Sequence, residues 1–137
     1  MKNILKSRTF LIVCSWIVIT TSTLLNAVLR GPFLQWYDYF ILILASLLAG
    51  ALIIDLKKVV VYTLITLAAT YALSLFCLSA LPILTGKIIW APETINLTLE
   101  AGIIMVVRAT FPTLWIIYFL VALIGGFIGE SLFNDVL

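Results

Sequence analysis

Few side chains in this 137-residue chain could do chemistry. There is no histidine, which removes the commonest zinc and haem ligand and the usual general base near neutral pH. The two thiols, Cys14 and Cys77, fall in helical stretches expected to run the same way. At the standard rise they stand about 9 Å and about 30 Å from one side of a bilayer. A disulfide needs α-carbons within about 7 Å, so neither an internal bridge nor a dithiol redox step is expected. None of the six carboxylates lies near the middle of an apolar stretch, where proton-coupled carriers and intramembrane proteases place them. Gly-rich phosphate loops and nucleophile elbows are absent from the sequence. The chain reads as non-enzymatic, with no catalytic residue, cofactor or metal.

What remains is hydroxyls, small residues and a few interfacial charges. Thr63, Thr66, Thr70, Ser74 and Cys77 fall within about 80° of a helical circumference, one polar stripe. Ser15, Ser22 and Asn26 form a similar line, seven and four apart. Both stripes are expected to turn inward, either as interhelical hydrogen bonds of about 0.6 kcal/mol each or as a hydrophilic path. Ala122, Gly125, Gly126 and Gly129 share an arc of about 100°, and Ala45 to Ala49 and Ser46 to Gly50 repeat the small-xxx-small spacing. These faces suit close helix packing, within the chain or against a neighbour. Glu130 is expected to pair with Lys57, Lys58 or the amino-terminal cations, and Arg108 to reach headgroups, Glu100 or a partner.

The elements that carry these residues are set by charge spacing. Only 14 residues are charged, against about 25% in a soluble domain, and the mean hydropathy is +1.27. Residues 9–29, 39–54, 59–86 and 109–129 are charge-free. A core of about 30 Å needs about 20 helical residues. The spacing predicts an all-α polytopic membrane domain with helices near 9–29, 38–56, 57–81 and 109–130, the third ended by Pro82. The first segment resembles a signal peptide and is read as an uncleaved helix. Five Lys and Arg on the terminal side against three on the other predict cytoplasmic termini, with Trp36, Tyr37, Tyr39 and Trp90 as the opposite aromatic belt.

Residues 86–108 read as an irregular outer segment. Thr94 to Glu100 alternate strictly, which favours extended chain, and Pro112 is expected to kink the start of the fourth helix. Ile95, Leu97, Leu99, Glu100 and Arg108 then form a candidate docking edge. Asn96-Leu97-Thr98 also matches a glycosylation acceptor on that side. The favoured function is a non-catalytic accessory or structural subunit of a larger membrane complex, in a cell membrane of prokaryotic type. The alternative is a small channel or transporter acting as a homo-oligomer with a Ser/Thr-lined path. Expected partners are the lipid bilayer and other membrane subunits, with self-association allowed. A net charge of +2 with no basic patch argues against nucleic acid.

Overall fold

The computed structural model describes residues 2–31, 34–87, 91–111 and 113–134. They form five helices: α1 (Lys2–Arg30), α2 (Trp36–Ile53), α3 (Leu56–Leu84), α4 (Pro92–Thr110) and α5 (Thr113–Asn134), with no strand among the described residues. Four of them, α1, α2, α3 and α5, are long and apolar enough to cross a membrane, making this a multi-pass membrane protein. Trp90 and Pro112 lie outside the described residues.

Helix lengths define two ends. The short α2, 18 residues and about 27 Å, matches a hydrocarbon core. Both α1 and α3 have 29 residues and exceed it by about 16 Å. A tight turn at Ile54 and Asp55 joins α2 to α3 at what is here called the basal end, so the surplus of α3 projects from the opposite, distal end. The surplus of α1 is basal, because Arg30 at its last residue pairs with Asp38 in the first turn of α2.

Two sequence expectations are corrected. The third helix does not stop at Pro82 but continues to Leu84. So close to the end, a missing N–H forfeits a single ladder bond. A Schellman cap then closes the helix: Lys87 N–H donates to the Pro82 carbonyl and Gly86 N–H to the Ile83 carbonyl, with Gly86 at φ 72°. The segment 94–100 is helical, not extended. Pro92 occupies the first turn, Ala91 is extended, and the Ala91 N–H donates to Thr94 Oγ1 at 3.1 Å, which starts a helix. Ile95, Leu99, Gly102, Val106 and Thr110 then repeat at intervals of four and three, and the last three are buried. Seven alternating residues concealed a helical face whose buried positions all lie past Glu100.

The most extensive interface joins α2 and α5, which run parallel. A Cβ on Gly125 would overlap the Leu47 carbonyl oxygen, and one on Gly129 the Ala51 carbonyl oxygen, four residues further along both helices. A Cβ on Gly50 would meet the Ala122 carbonyl in the same way. Only hydrogen side chains let these backbones touch. Around this seam lies a core of Trp16, Leu42, Ile53, Val59, Leu67, Leu114 and Tyr118. The outlying α4 packs on the projecting part of α3, with Gly102 seated against Leu75 and Leu78.

Candidate functional site

The interior between α1, α3 and α5 is built from hydroxyls and aromatic rings. On α1, Val13, Trp16, Thr20, Thr23 and Ala27 recur at intervals of three and four and are all buried. Trp16 stacks on Tyr118 with ring centroids 5.4 Å apart. The Thr20 hydroxyl donates back to the Trp16 carbonyl at 2.7 Å, so the Tyr118 O–H, 2.6 Å away, donates to Thr20. The Ser46 hydroxyl donates to the Tyr118 carbonyl at 3.3 Å, tying α2 into the same junction.

A second junction lies toward the distal end. Trp115 Nε1–H donates to the Tyr71 hydroxyl, Tyr71 donates to Thr110, and Thr110 donates to the Val106 carbonyl. This directional chain links α5, α3 and α4 at the bend between α4 and α5. Each polar group in it has a partner, as surroundings of protein and lipid, with no water to bond, require.

A column on α3 behaves differently. Thr63 donates to the Val59 carbonyl one turn back. Thr66, Thr70 and Ser74, on the next three turns of the same face, are buried and their hydroxyls have no partner among the described residues. Thr21 Oγ1 and Trp16 Nε1 share that condition. These atoms are almost wholly out of water's reach, so the column is dry in this conformation. It offers hydrogen-bonding capacity without an aqueous route to it.

Of the residues singled out from the sequence, Thr63, Thr66, Thr70 and Ser74 all face inward. Ser15, Ser22 and Asn26 do not: they are exposed, and the buried hydroxyls of α1 are Thr20, Thr21 and Thr23. Seven-and-four spacing places the first three on one face, but Trp16, Leu24 and Ala27 on another carry the apolar bulk that burial favours. Ala122, Gly125, Gly126 and Gly129 are buried, and the last three lie against α2 or, at Gly126, against Val59 and Leu56. Ala45 and Ala49 line a crevice with Leu11, Ser15 and Trp16 of α1, while Ser46 and Gly50 turn to α5. On α4, Leu97, Glu100 and Arg108 are exposed and Ile95 and Leu99 half-buried.

The charged groups stay at the ends. Asp38 is buried, accepting from Arg30 Nη2 at 2.7 Å and from the Gln35 N–H at 2.9 Å. Arg30 also donates to the Asn26 carbonyl and lies 4.8 Å over the Tyr37 ring. The sequence offered little signal for this pair, eight residues apart across a helix connection. At the basal turn Lys58 pairs with Asp55 at 3.4 Å. Desolvation pushes the Asp55 carboxyl upward, but the Lys58 side chain and the Lys57 N–H outweigh it and hold the group below its ordinary value of 3.8. Glu130 is half-buried and has no ion pair among the described residues; of the cations expected for it, Lys57, Lys58 and the amino-terminal cluster, Lys58 pairs with Asp55 instead. No three His, Cys, Asp or Glu of the described residues are grouped to hold a metal ion.

The arrangement thus defines a class, a four-span helical membrane protein with a fifth helix at its distal end. It goes no further by likeness: no family model, no curated protein and no solved structure matches the chain.

Proposed function

We propose that the protein is a non-catalytic accessory subunit that joins a larger membrane complex through the distal pair α3–α4. One observation carries this reading. The distal part of α3 and the start of α4 project beyond the span of α2 and display Leu81, Leu84 and Leu97, the last two 81% and 65% exposed. A leucine moved from water into an apolar contact gains about 1.5–3 kcal/mol. Glu93 and Glu100 beside them supply a polar rim. The small-residue faces are engaged inside the chain, which leaves this pair as the surface for other subunits. Lys6, Arg8, Lys57 and Lys58 gather basally, so the reading places that end in the cytoplasm.

A second reading, a small homo-oligomeric channel or transporter, draws on the α3 hydroxyl column. Its dryness ranks it second. The discriminating experiment is the mass and composition of the complex extracted from source membranes in mild detergent. The expected result is a defined set of different chains, from which Leu97→Asp releases this one without altering its own melting. A particle whose mass is a small multiple of 15.2 kDa, unchanged by Leu97→Asp, would overturn the proposal.

A further inference from the structure

The outward face of α1 is unlike that of the other spans. The exposed residues of α2 from Phe40 to Leu52, of α3 from Val61 to Phe76 and of α5 from Ile116 to Ile128 are all apolar. On α1 they include Ser15, Ser22 and Asn26. At about 100° per residue, Ser15 and Ser22 run down the middle of that face, with Leu11 and Val18 on one flank and Ile19 and Asn26 on the other. Mid-depth falls near Ile19, which shares a crevice with Ala45, at the midpoint of α2. Ser22, Ser15 and Asn26 stand about 5, 6 and 11 Å along the helix from that level, all inside a hydrocarbon core of about 30 Å. Thr20 and Thr23 donate to carbonyls one turn back, but the Ser15 and Ser22 hydroxyls and the Asn26 amide make no hydrogen bond among the described residues. Lipid tails offer them no partner.

We propose that two copies of the chain pair in parallel through α1, with Ser15, Ser22 and Asn26 of one copy meeting the same residues of the other about a two-fold axis along the membrane normal. The pairing does not rest on the accessory-subunit reading, since a pair can enter a larger complex. It lies within the bilayer, apart from the distal surface of Leu84 and Leu97. Complementarity selects the occupant. A serine hydroxyl and an asparagine amide each donate and accept, so identical residues facing one another satisfy both sides. A two-fold axis along the normal brings identical residues together at the same depth. Ser15 and Ser22 are one heptad apart, the repeat of a parallel left-handed pair, and their small side chains let two backbones approach. The same line continues basally past Leu11 to Ile4, 74% exposed in the part of α1 that projects from the bilayer, where a second copy takes it out of water. Lys6 lies on the opposite face and Arg8 on a flank, so no charge stands on the line. At the distal end the charge of Arg30 is already answered by Asp38.

The test is energy transfer between donor- and acceptor-labelled copies of the purified full chain in phosphatidylcholine vesicles, followed as the protein-to-lipid ratio is varied. The expected result is a concentration-dependent signal that fits one monomer–dimer equilibrium. Ser22→Phe, at an exposed position in the middle of the face, should weaken association about tenfold while melting stays unchanged. Asn26→Leu should weaken it about threefold for each hydrogen bond lost. Leu120→Phe, on the outer face of α5, should leave it unaltered. With Cys14 and Cys77 replaced by alanine, Ser22→Cys should give a disulfide-linked pair on oxidation, which requires α-carbons within about 7 Å. Leu64→Cys, exposed on α3, should not. A signal no greater than chance proximity, or one that Ser22→Phe leaves intact, overturns the proposal. So does cross-linking of Ser22→Cys to a different polypeptide in source membranes, which assigns the face to another subunit. Failure of the pairing leaves the mass of the source complex to decide the accessory-subunit reading, and the reverse holds equally.

Discussion

The basal and distal halves of this bundle are joined by opposite means. Basally, α2 and α5 meet backbone to backbone, because Gly50, Gly125 and Gly129 leave no side chain between them. Distally and at mid-depth, helices stand apart and are bridged by large side chains carrying polar tips: Trp16, Tyr118 and Thr20 in one junction, Tyr71, Thr110 and Trp115 in the other. Lipid tails are as apolar as leucine, so neither seam gains from a hydrophobic drive between helices. The basal seam relies on many short dispersion contacts, which fall off steeply with separation. The distal junctions rely on a few hydrogen bonds that tolerate distance but need each donor matched. A seam of the first kind has no adjustable part; one of the second kind does.

The largest effect should therefore come from the smallest residues. Gly125→Val places a branched side chain where the Leu47 carbonyl stands, and that carbonyl belongs to an α2 backbone that cannot shift locally. Overpacking of a core costs about 1–3 kcal/mol, and the upper end is expected here. Gly129→Val should behave alike through Ala51, whereas Gly31→Ala, which has nothing within 4 Å, should be silent. Unfolding in a denaturing-detergent titration measures all three. If Gly125→Val melts like the parent chain, the backbone seam is not what joins α2 to α5.

An intermediate effect is expected at Tyr118. Tyr118→Phe removes the donor and leaves Thr20 still bonded to the Trp16 carbonyl. Thr20→Val instead leaves a buried phenol with no partner. Orphaning a buried polar group costs more than deleting a bonded pair. Thr20→Val should thus destabilise more than Tyr118→Phe, and the double variant should recover part of the loss, with a coupling of about 1 kcal/mol. Additive single effects in the same titration would show the two helices to be held by ring stacking alone.

The two halves also differed in how much of them could be read from the chain. Charge spacing located all four spans, since the cost of a charge in lipid is independent of what packs nearby. The α3 hydroxyls Thr63, Thr66, Thr70 and Ser74 were legible as one inward face, because every residue of that stripe has the same orientation problem in lipid. Ser15, Ser22 and Asn26 misled, since which face of α1 turns inward is decided by Trp16 and its partner Tyr118, far along the chain on α5. The same holds for α4: its helical face becomes evident only through Gly102, Val106 and Thr110, whose burial depends on the projecting part of α3. Local pattern carries information about solvent, while the choice of neighbour is a long-range property. Likewise the glycines announced close approach but not its object; that α5 meets α2 through Leu47 and Ala51 depends on the parallel register of two helices not adjacent in the chain.

The smallest effect, and the one that refines the contrast most, concerns the α3 column. Thr66, Thr70 and Ser74 have buried hydroxyls without partners among the described residues, so Thr66→Val, Thr70→Val and Ser74→Ala remove polar atoms that make no hydrogen bond to them. Replacing such groups by apolar ones of similar shape is close to neutral or stabilising. Each change should shift stability by less than about 0.5 kcal/mol, in either direction. Thr63→Val, which breaks the bond to the Val59 carbonyl, should cost about 0.5–1.5 kcal/mol in the same assay. A marked loss at Thr66 or Thr70 would mean that these hydroxyls bind something in the bilayer, which is where the path reading would regain its footing. Loss of solute flux through liposomes, with stability untouched, would move the column from a packing feature to a conducting one. Near-neutral changes without a flux phenotype would leave it as part of the adjustable half, where three turns of α3 keep hydroxyls that no neighbouring helix has been matched to.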